Sequence, residues 1–480
     1  MVSPGGGLVL ALDQGSHASR AVLFDAAGAQ VAEARVPVAT VREGQDRVEQ
    51  DPEELVRSLQ TAIEDVLESR PGANVVAAGL ATQRSTVVAW SRGTGHALHD
   101  AISWQDRRAA AWLARLAPFA ARVRAITGLP LSPHYGASKL RWCLDHVPAV
   151  QRAAAAGDLA LGPLSSFLTF RLSEERVCVA DPANAARTLL YDTLSQQWSP
   201  ELLRLFDLDP AWLPACVPTR PSFGHIACAG LRVPLSACTG DQAAAAFAFG
   251  PLDPGCALVN AGTGAFIQRA VPAGAPLPDG ILRSVLCVDA EGAVASHEGT
   301  VNGAGSALDW LRERVALDVD RGLAALDALP AFAGGLPVFV NGVGGLGAPF
   351  WLTDFPSEFV GDGDDAARLA AVIESIAFLL CVNLEALRSA APLARLRISG
   401  GLARNDYLCR CLAALARLPV ERPVLVEATA RGVAWLAAGK PSAWQPVPVE
   451  RVFTPLAAPA LDARYARWRS EMAFRGAKEA

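Results

Sequence analysis

One stretch constrains this chain more than any other: an apolar run that ends in an acid, turns on a glycine and resumes as a second apolar run. Residues 8–20 read Leu-Val-Leu-Ala-Leu-Asp-Gln-Gly-Ser-His-Ala-Ser-Arg, and Ala-Val-Leu-Phe-Asp follows at 21–25. The pattern predicts strand, turn, strand, with Asp13 at the bend and bare backbone N–H groups beside it. Such a bend suits a metal-bound phosphate. The same design returns at 257–266 as Ala-Leu-Val-Asn-Ala-Gly-Thr-Gly-Ala-Phe. Two phosphate-type turns in two halves point to a nucleotide held between two lobes. The first turn alone is also what an ordinary hairpin looks like, so the rest of the chain has to decide.

At 480 residues the chain exceeds a single core and suits two or three domains. Three opening strands are predicted at 8–12, 20–25 and 30–36. A helix then starts at Asp51 as N-cap, with Pro52 at N1 and Glu54 completing a capping box. Leu55, Leu59, Ile63, Val66 and Leu67 give it one apolar face. Val75–Leu80 and Thr86–Trp90 read as further strands, so strands and helices alternate in an α/β pattern. A second series of strands begins near 256, after Pro251 and Pro254, with a hairpin over 281–298 around Glu291-Gly292 and a long helix over 365–388. The expected domains are 1–250 and 251–480.

A net charge of −5 offers no general attraction to nucleic acid or to an anionic membrane. The ten cysteines include no Cys-x-x-Cys pair, and most lie among Ala, Leu and Val, which fits buried thiols in a reducing cytoplasm. The opening Met-Val-Ser-Pro-Gly-Gly-Gly has no basic segment, and Glu374 interrupts the apolar run Ala370–Leu380. Neither a secretory signal nor a membrane span is expected, and the reading is a cytoplasmic protein.

Asp13 is a candidate Mg²⁺ ligand, and Arg20 can face a phosphoryl group. Asp241, after a glycine in Thr239-Gly-Asp-Gln242, can take a proton from an attacking hydroxyl, a contribution of about 10²–10⁴-fold. It can equally cap the Ala-rich helix that starts at Gln242. Gly262, Thr263 and Gly264 suit terminal phosphates. The run Leu393–Ile398 leads into Gly400 and Gly401, then Asn405, from which a helix starts; adenosine is the candidate ligand there. Arg84 in Gln83-Arg-Ser-Thr86 can grip vicinal hydroxyls, and Trp104 in Trp104-Gln-Asp106 can face a carbon backbone. Gly342–Gly347 fits G-x-G-x-x-G, yet Ala348-Pro-Phe-Trp351 does not open a helix, so a dinucleotide site is not expected. His96 and His99 have a loose metal spacing inside a turn and read as solvated. No Walker A sequence is present.

Ala-Leu-Asp13-Gln-Gly, Thr82-Gln-Arg84, Trp104-Gln, Asn184-Ala-Ala-Arg-Thr188, Gly240-Asp241-Gln242, Gly262-Thr-Gly264, Gly345-Leu-Gly-Ala-Pro349, Glu374-Ser-Ile-Ala377 and Gly400-Gly401 together resemble glycerol kinases of the FGGY carbohydrate kinase family. The resemblance runs from about residue 8 to Arg464-Tyr-Ala-Arg-Trp468. It implies an α/β fold of two actin-like, ribonuclease-H-type lobes around a cleft, using ATP and Mg²⁺ to phosphorylate a small polyol or sugar. By resemblance Asp241 is the general base, Asp13 and Asp241 serve the metal, and Arg20 faces the transferred group. Gly15, Ser16, His17, Gly262, Thr263, Gly264, Gly305, Asp309, Gly400, Gly401 and Asn405 would lie along ATP. Arg84, Ser85, Trp104, His134, Asp241, Gln242 and Phe266 would line the polyol site. A homodimer is compatible with the resemblance.

Two departures bear on the acceptor. Glycerol kinases usually carry Arg-Glu-Thr where this chain has Arg84-Ser85-Thr86, and Tyr where it has His134; the missing Glu binds glycerol hydroxyls. In this respect the chain resembles the divergent animal paralogues of glycerol kinase. Losing a charge-assisted hydrogen bond costs roughly 1.5–3 kcal/mol, and Ser85 leaves more room. Weak use of glycerol, or a preference for a larger or differently substituted polyol, is expected; a ketopentose or tetritol kinase and a non-catalytic nucleotide-binding regulator are the alternatives.

Overall fold

The computed structural model describes residues 7–220, 222–328, 332, 334–388, 392–424 and 427–479. The opening segment Met1–Gly6, read above for a signal, lies outside the described residues. The predicted opening strands are β1 (Leu8–Gln14), β2 (Ala18–Phe24) and β3 (Gln30–Pro37), an antiparallel meander. Beyond β1 the sheet continues with Val75–Thr82 and Leu231–Gly240, each parallel to its neighbour. The register sets Gln14 beside Thr82 and Thr82 beside Gly240. Three parallel strands therefore end side by side, and Asp13, Arg84 and Asp241 emerge at one edge, where open α/β sheets place ligands.

Helix α1 (Pro52–Glu68) covers one face of this sheet, with Leu55, Leu59, Ile63 and Val66 buried and Leu67 half-buried. Asp51 caps it, accepting from the Glu53 backbone at 2.8 Å. Glu54 does not close the expected capping box; its carboxylate accepts from Ala39 N at 3.2 Å and ties the helix to the segment after β3. Thr86–Trp90 falls in a strand, Val87–Ser91, but of a separate five-stranded sheet that also takes Leu159–Pro163, Ala101–Ile102, Arg47–Gln50 and Val41–Glu43. The short strands are too brief to show a period in the sequence.

The second lobe repeats the plan. Cys256–Ala261 pairs antiparallel with Ala265–Pro272 and parallel with Arg395–Ser399, and the predicted hairpin forms from Leu282–Asp289 and Gly292–Val301. The helix Asp365–Arg388 is long and apolar enough to cross a membrane, contrary to the expectation from Glu374. It is instead the second lobe's core helix, 83% of its apolar window being buried. Glu374 is satisfied inside, accepting from Tyr407 Oη at 2.7 Å and Arg464 Nε at 2.7 Å.

The lobes meet through small residues. Helix Ala428–Ala437 crosses from the second half onto the first sheet and the helix Asp241–Ala246. At Gly432 a Cβ would sit 1.8 Å from the Ala244 carbonyl oxygen, so only glycine allows the approach. Val9, Ala11, Ala77, Ala243, Phe247 and Val433 form one apolar cluster across this contact.

Candidate active site

Asp13, at the end of β1, is 6% exposed and lies 3.3 Å from Arg20, its cross-strand partner on β2. Arg20 also reaches Glu427 at 2.9 Å, at the start of the crossing helix. Burial first, then the charge of Asp241, pushes the Asp13 carboxyl up to about 7 despite Arg20. Asp241 opens its helix after the N-cap Gly240 and accepts from Gln242 N at 2.7 Å. Gly240, not Asp241, is the N-cap, with no side-chain cap bond, and a third of the Asp241 side chain stays open to the cleft. Burial raises its pKa while Arg84, 3.6 Å away, opposes the rise. Two carboxylates that resist ionising beside each other fit a divalent cation, whose charge removes the conflict. Among the described residues no third acidic, His or Cys ligand joins them, leaving the remaining positions to phosphate oxygen and water.

The acceptor side is a closed network of side chains. Arg84 donates to Gln242 Oε1 and lies 3.5 Å from Glu298, which pairs with Arg187 at 2.8 Å and accepts from Ser284 at 3.0 Å. Burial opposes its ionisation, but Arg187 and Arg84 hold Glu298 down to about 2. Trp104 Nε1 donates to Ser16 Oγ at 3.0 Å, and Ser16 donates on to Gln83 at 2.9 Å. The Ser16 hydroxyl therefore links the turn after β1 to the indole. His134 stands edge-on to Trp104 and Tyr135, with centroids 5.6 and 5.0 Å away. Burial, then Lys139 and Arg107, keep its pKa well below the usual value, so the ring is neutral. Ser85 is buried in a left-handed conformation, φ 66°, and its hydroxyl has no partner. Phe266 borders a cavity with Gln242, Asn260 and Gln268.

The nucleotide-type turns are built from backbone. Gly15 N donates to Ala18 O at 3.0 Å, and the exposed His17 is held by its carbonyl, which accepts from Val38 N at 3.1 Å. Gly262 N donates to Gly264 O at 2.8 Å; Gly305 N and Ser306 N donate back to the carbonyls of Gly262 and Thr263 at 2.9 and 3.0 Å. The Thr263 side chain remains exposed. The register Asn260 beside Ser399 brings Gly400 and Gly401 to the same edge, with Gly401 open on all sides. Asn405 and Asp309 lie apart from this group in their side-chain contacts. Asn405 caps its helix at Leu408 N (2.8 Å) and donates to Asp327 (2.9 Å), while the exposed Asp309 pairs with Arg312 at 2.5 Å.

Glu298, Arg187, Glu427, Tyr135 and Lys139 join the site without having been singled out. Only Arg187 carried a signal, as a member of Asn184-Ala-Ala-Arg-Thr188. The histidine reading needs one correction. His96 is exposed, but His99 is half-buried, edge-on to Trp142 at 5.6 Å, because Trp142 covers the turn.

Two lobes of the same plan, with turns facing one cleft and paired acids at its base, define an actin-like phosphotransferase fold. Residues 8–248 match the FGGY family of carbohydrate kinases, N-terminal domain, and 257–439 its C-terminal domain. The chain belongs to the FGGY family and is a carbohydrate kinase acting on an alcohol acceptor. It is 38% identical over 450 residues to a glycerol kinase of Rhodospirillum centenum, covering 90% of this chain and 89% of that protein. A glycerol kinase of Acidovorax sp. is 35% identical over 498 residues, with 97% and 98% covered. Among solved structures, Plasmodium falciparum glycerol kinase with ADP superposes with a TM-score of 0.90 at 23% identity, covering 98% of each chain. Xylulose kinase from Rhodospirillum rubrum gives 0.86 at 22%, covering 97% and 98%.

Proposed function

We propose that this kinase transfers the terminal phosphoryl group of ATP to a primary hydroxyl of glycerol or a related small polyol. The carrying observation is the placement of Asp241, which opens to the cleft between the arginine-lined acceptor network and the Asp13–Arg20 pair. Its carboxylate takes the proton of the attacking hydroxyl, while Arg84 and Gln242 orient the polyol and the Trp104 indole covers its carbons. Arg20 offsets charge on the transferred group. Asp13 and Asp241 would hold Mg²⁺, which when bound neutralises phosphate charge. Gly262, Thr263, Gly264, Gly400 and Gly401 would carry ATP on the second lobe, and the acceptor lies in the first, with the division near residue 250. The names of the relatives support glycerol as the acceptor. The free cysteines, most of them buried, support a reducing cytoplasm.

Ser85 favours a second reading of the acceptor. It places a short side chain with a buried, unpartnered hydroxyl where glycerol kinases usually carry a carboxylate, so the grip of that carboxylate on glycerol is missing. Coupled ADP release with Mg-ATP over glycerol, erythritol, larger polyols and ketopentoses tests both readings. A longer polyol is expected to exceed glycerol in kcat/KM, and Ser85→Glu should raise glycerol kcat/KM by roughly 10- to 100-fold. Glycerol outperforming every longer acceptor would defeat the size preference. Silence on the whole panel would defeat both readings of the acceptor.

A further inference from the structure

Lys139, on helix Gly136–His146, has no exposed surface. Its ammonium donates to the carbonyl oxygens of Ser85 at 3.2 Å, Ser103 at 2.8 Å and His134 at 2.8 Å. An ammonium has three N–H donors, so the head is saturated by three segments that are far apart in sequence. Each segment carries one wall of the acceptor pocket: Arg84 precedes Ser85, Trp104 follows Ser103, and His134 is itself a wall. Thr86 adds a cross-tie, its hydroxyl accepting from Trp104 N at 3.1 Å. No carboxylate pairs with Lys139 among the described residues; the nearby Asp106 is taken by Arg108 at 2.7 Å and by Val48 N at 2.7 Å. Burying an ammonium with only neutral partners is unfavourable compared with an apolar side chain, so packing alone does not account for a lysine here. The left-handed Ser85 is a second cost, tolerated only where the surroundings over-determine the backbone, and the Lys139 bond to its carbonyl is such a restraint.

We propose that Lys139 is a positioning residue for the acceptor: it gathers three segments at one point and so fixes Arg84, Trp104 and His134 around the polyol without touching it. The role rests on the kinase reading above. Lys139→Met keeps the length and apolar stem but removes all three donors. With glycerol and erythritol as acceptors, its acceptor KM should rise roughly 10- to 100-fold, as misplaced recognition groups do, while the ATP KM stays at the wild-type value. Lys139→Gln, which retains two donors, should recover part of the loss and carries the same comparison if Lys139→Met does not fold. Equal rises in the KM values for ATP and acceptor, an unchanged acceptor KM, or failure of both variants to fold would overturn the proposal. A wild-type protein silent on every polyol would instead defeat the polyol reading on which the role rests.

Discussion

The two walls of the cleft are built from different materials. On the acceptor side is a mesh of buried and half-buried side chains, five from the first lobe and Glu298 from the second: Arg84, Gln242, Glu298, Arg187, Trp104 and Ser16 each bond to another member. On the second lobe, the turns at Gly262–Gly264 and Gly400–Gly401 present backbone and little else. The acceptor wall can thus be retuned by exchanging one side chain. The nucleotide wall is sensitive to an atom added at Gly400 or Gly305, where a Cβ would meet backbone at 2.5 and 2.8 Å.

The largest expected effect comes from the group where both walls meet. Asp241→Asn keeps the shape of Asp241 and can still accept from Gln242 N, but cannot accept a proton. Turnover should fall by about 10²–10⁴-fold, with ATP binding, read by nucleotide titration, unchanged. A variant that retains turnover would move the general base elsewhere and break the division of labour.

Glu298→Ala probes the mesh. Glu298 comes from the second lobe's strand Gly292–Val301 yet balances two arginines of the first. Removing one partner of a buried pair typically costs about 3–5 kcal/mol, and Arg84 would lose a restraint as well. Chemical denaturation should show the lost stability, and the acceptor KM should rise more than the ATP KM. Effects confined to ATP would mean that Glu298 serves the other wall.

Gly400→Ala is the matching test on the nucleotide side. Its φ is 89°, and a Cβ would lie 2.5 Å from the Ala261 carbonyl oxygen. Strain of this kind is worth about 1–3 kcal/mol, so the turn must move. The ATP KM should rise roughly tenfold or more, with the acceptor KM close to wild type. If acceptor and nucleotide suffer equally, the walls are one mechanical unit and the contrast fails.

The same contrast explains what could be read from the sequence. The two glycine turns were legible as turns because they close locally: Gly15 bonds Ala18, and Gly262 bonds Gly264. Strand alternation around them was legible too, since β1, β2 and β3 formed within two residues of their expected bounds. The pairings within the cleft were not, because the partners are remote. Arg20 meets Glu427 across 407 residues, and Arg187 meets Glu298 across 111. No period or spacing encodes such pairs. Asn405 shows both sides: the helix start expected there forms, with Asn405 as its cap, while its bond to Asp327 across 78 residues had no local signal.

The smallest expected effect separates two adjacent residues of one strand. Glu298 points into the acceptor mesh, and its charge persists because its pKa is held down to about 2. His297 points to the opposite face, in register between Arg269 and Arg283, with neither ring nitrogen hydrogen-bonded. Burial, then Arg283 and Arg269, hold its pKa down to about 4. The unfolded chain takes up that proton near pH 6.5 and the folded one only near 4, so His297 withdraws stability as pH falls through this window, by about 1.4 kcal/mol for each unit of depression. Asp13, pushed up to about 7, acts in the opposite sense, since the folded carboxyl is protonated first. The two must therefore be separated by difference. His297→Leu should flatten the acid side of the wild-type stability curve between pH 6.5 and 4 while leaving the Glu298 mesh and acceptor KM intact. A variant curve parallel to the wild type would show that the loss at low pH belongs to groups other than this buried face of the strand.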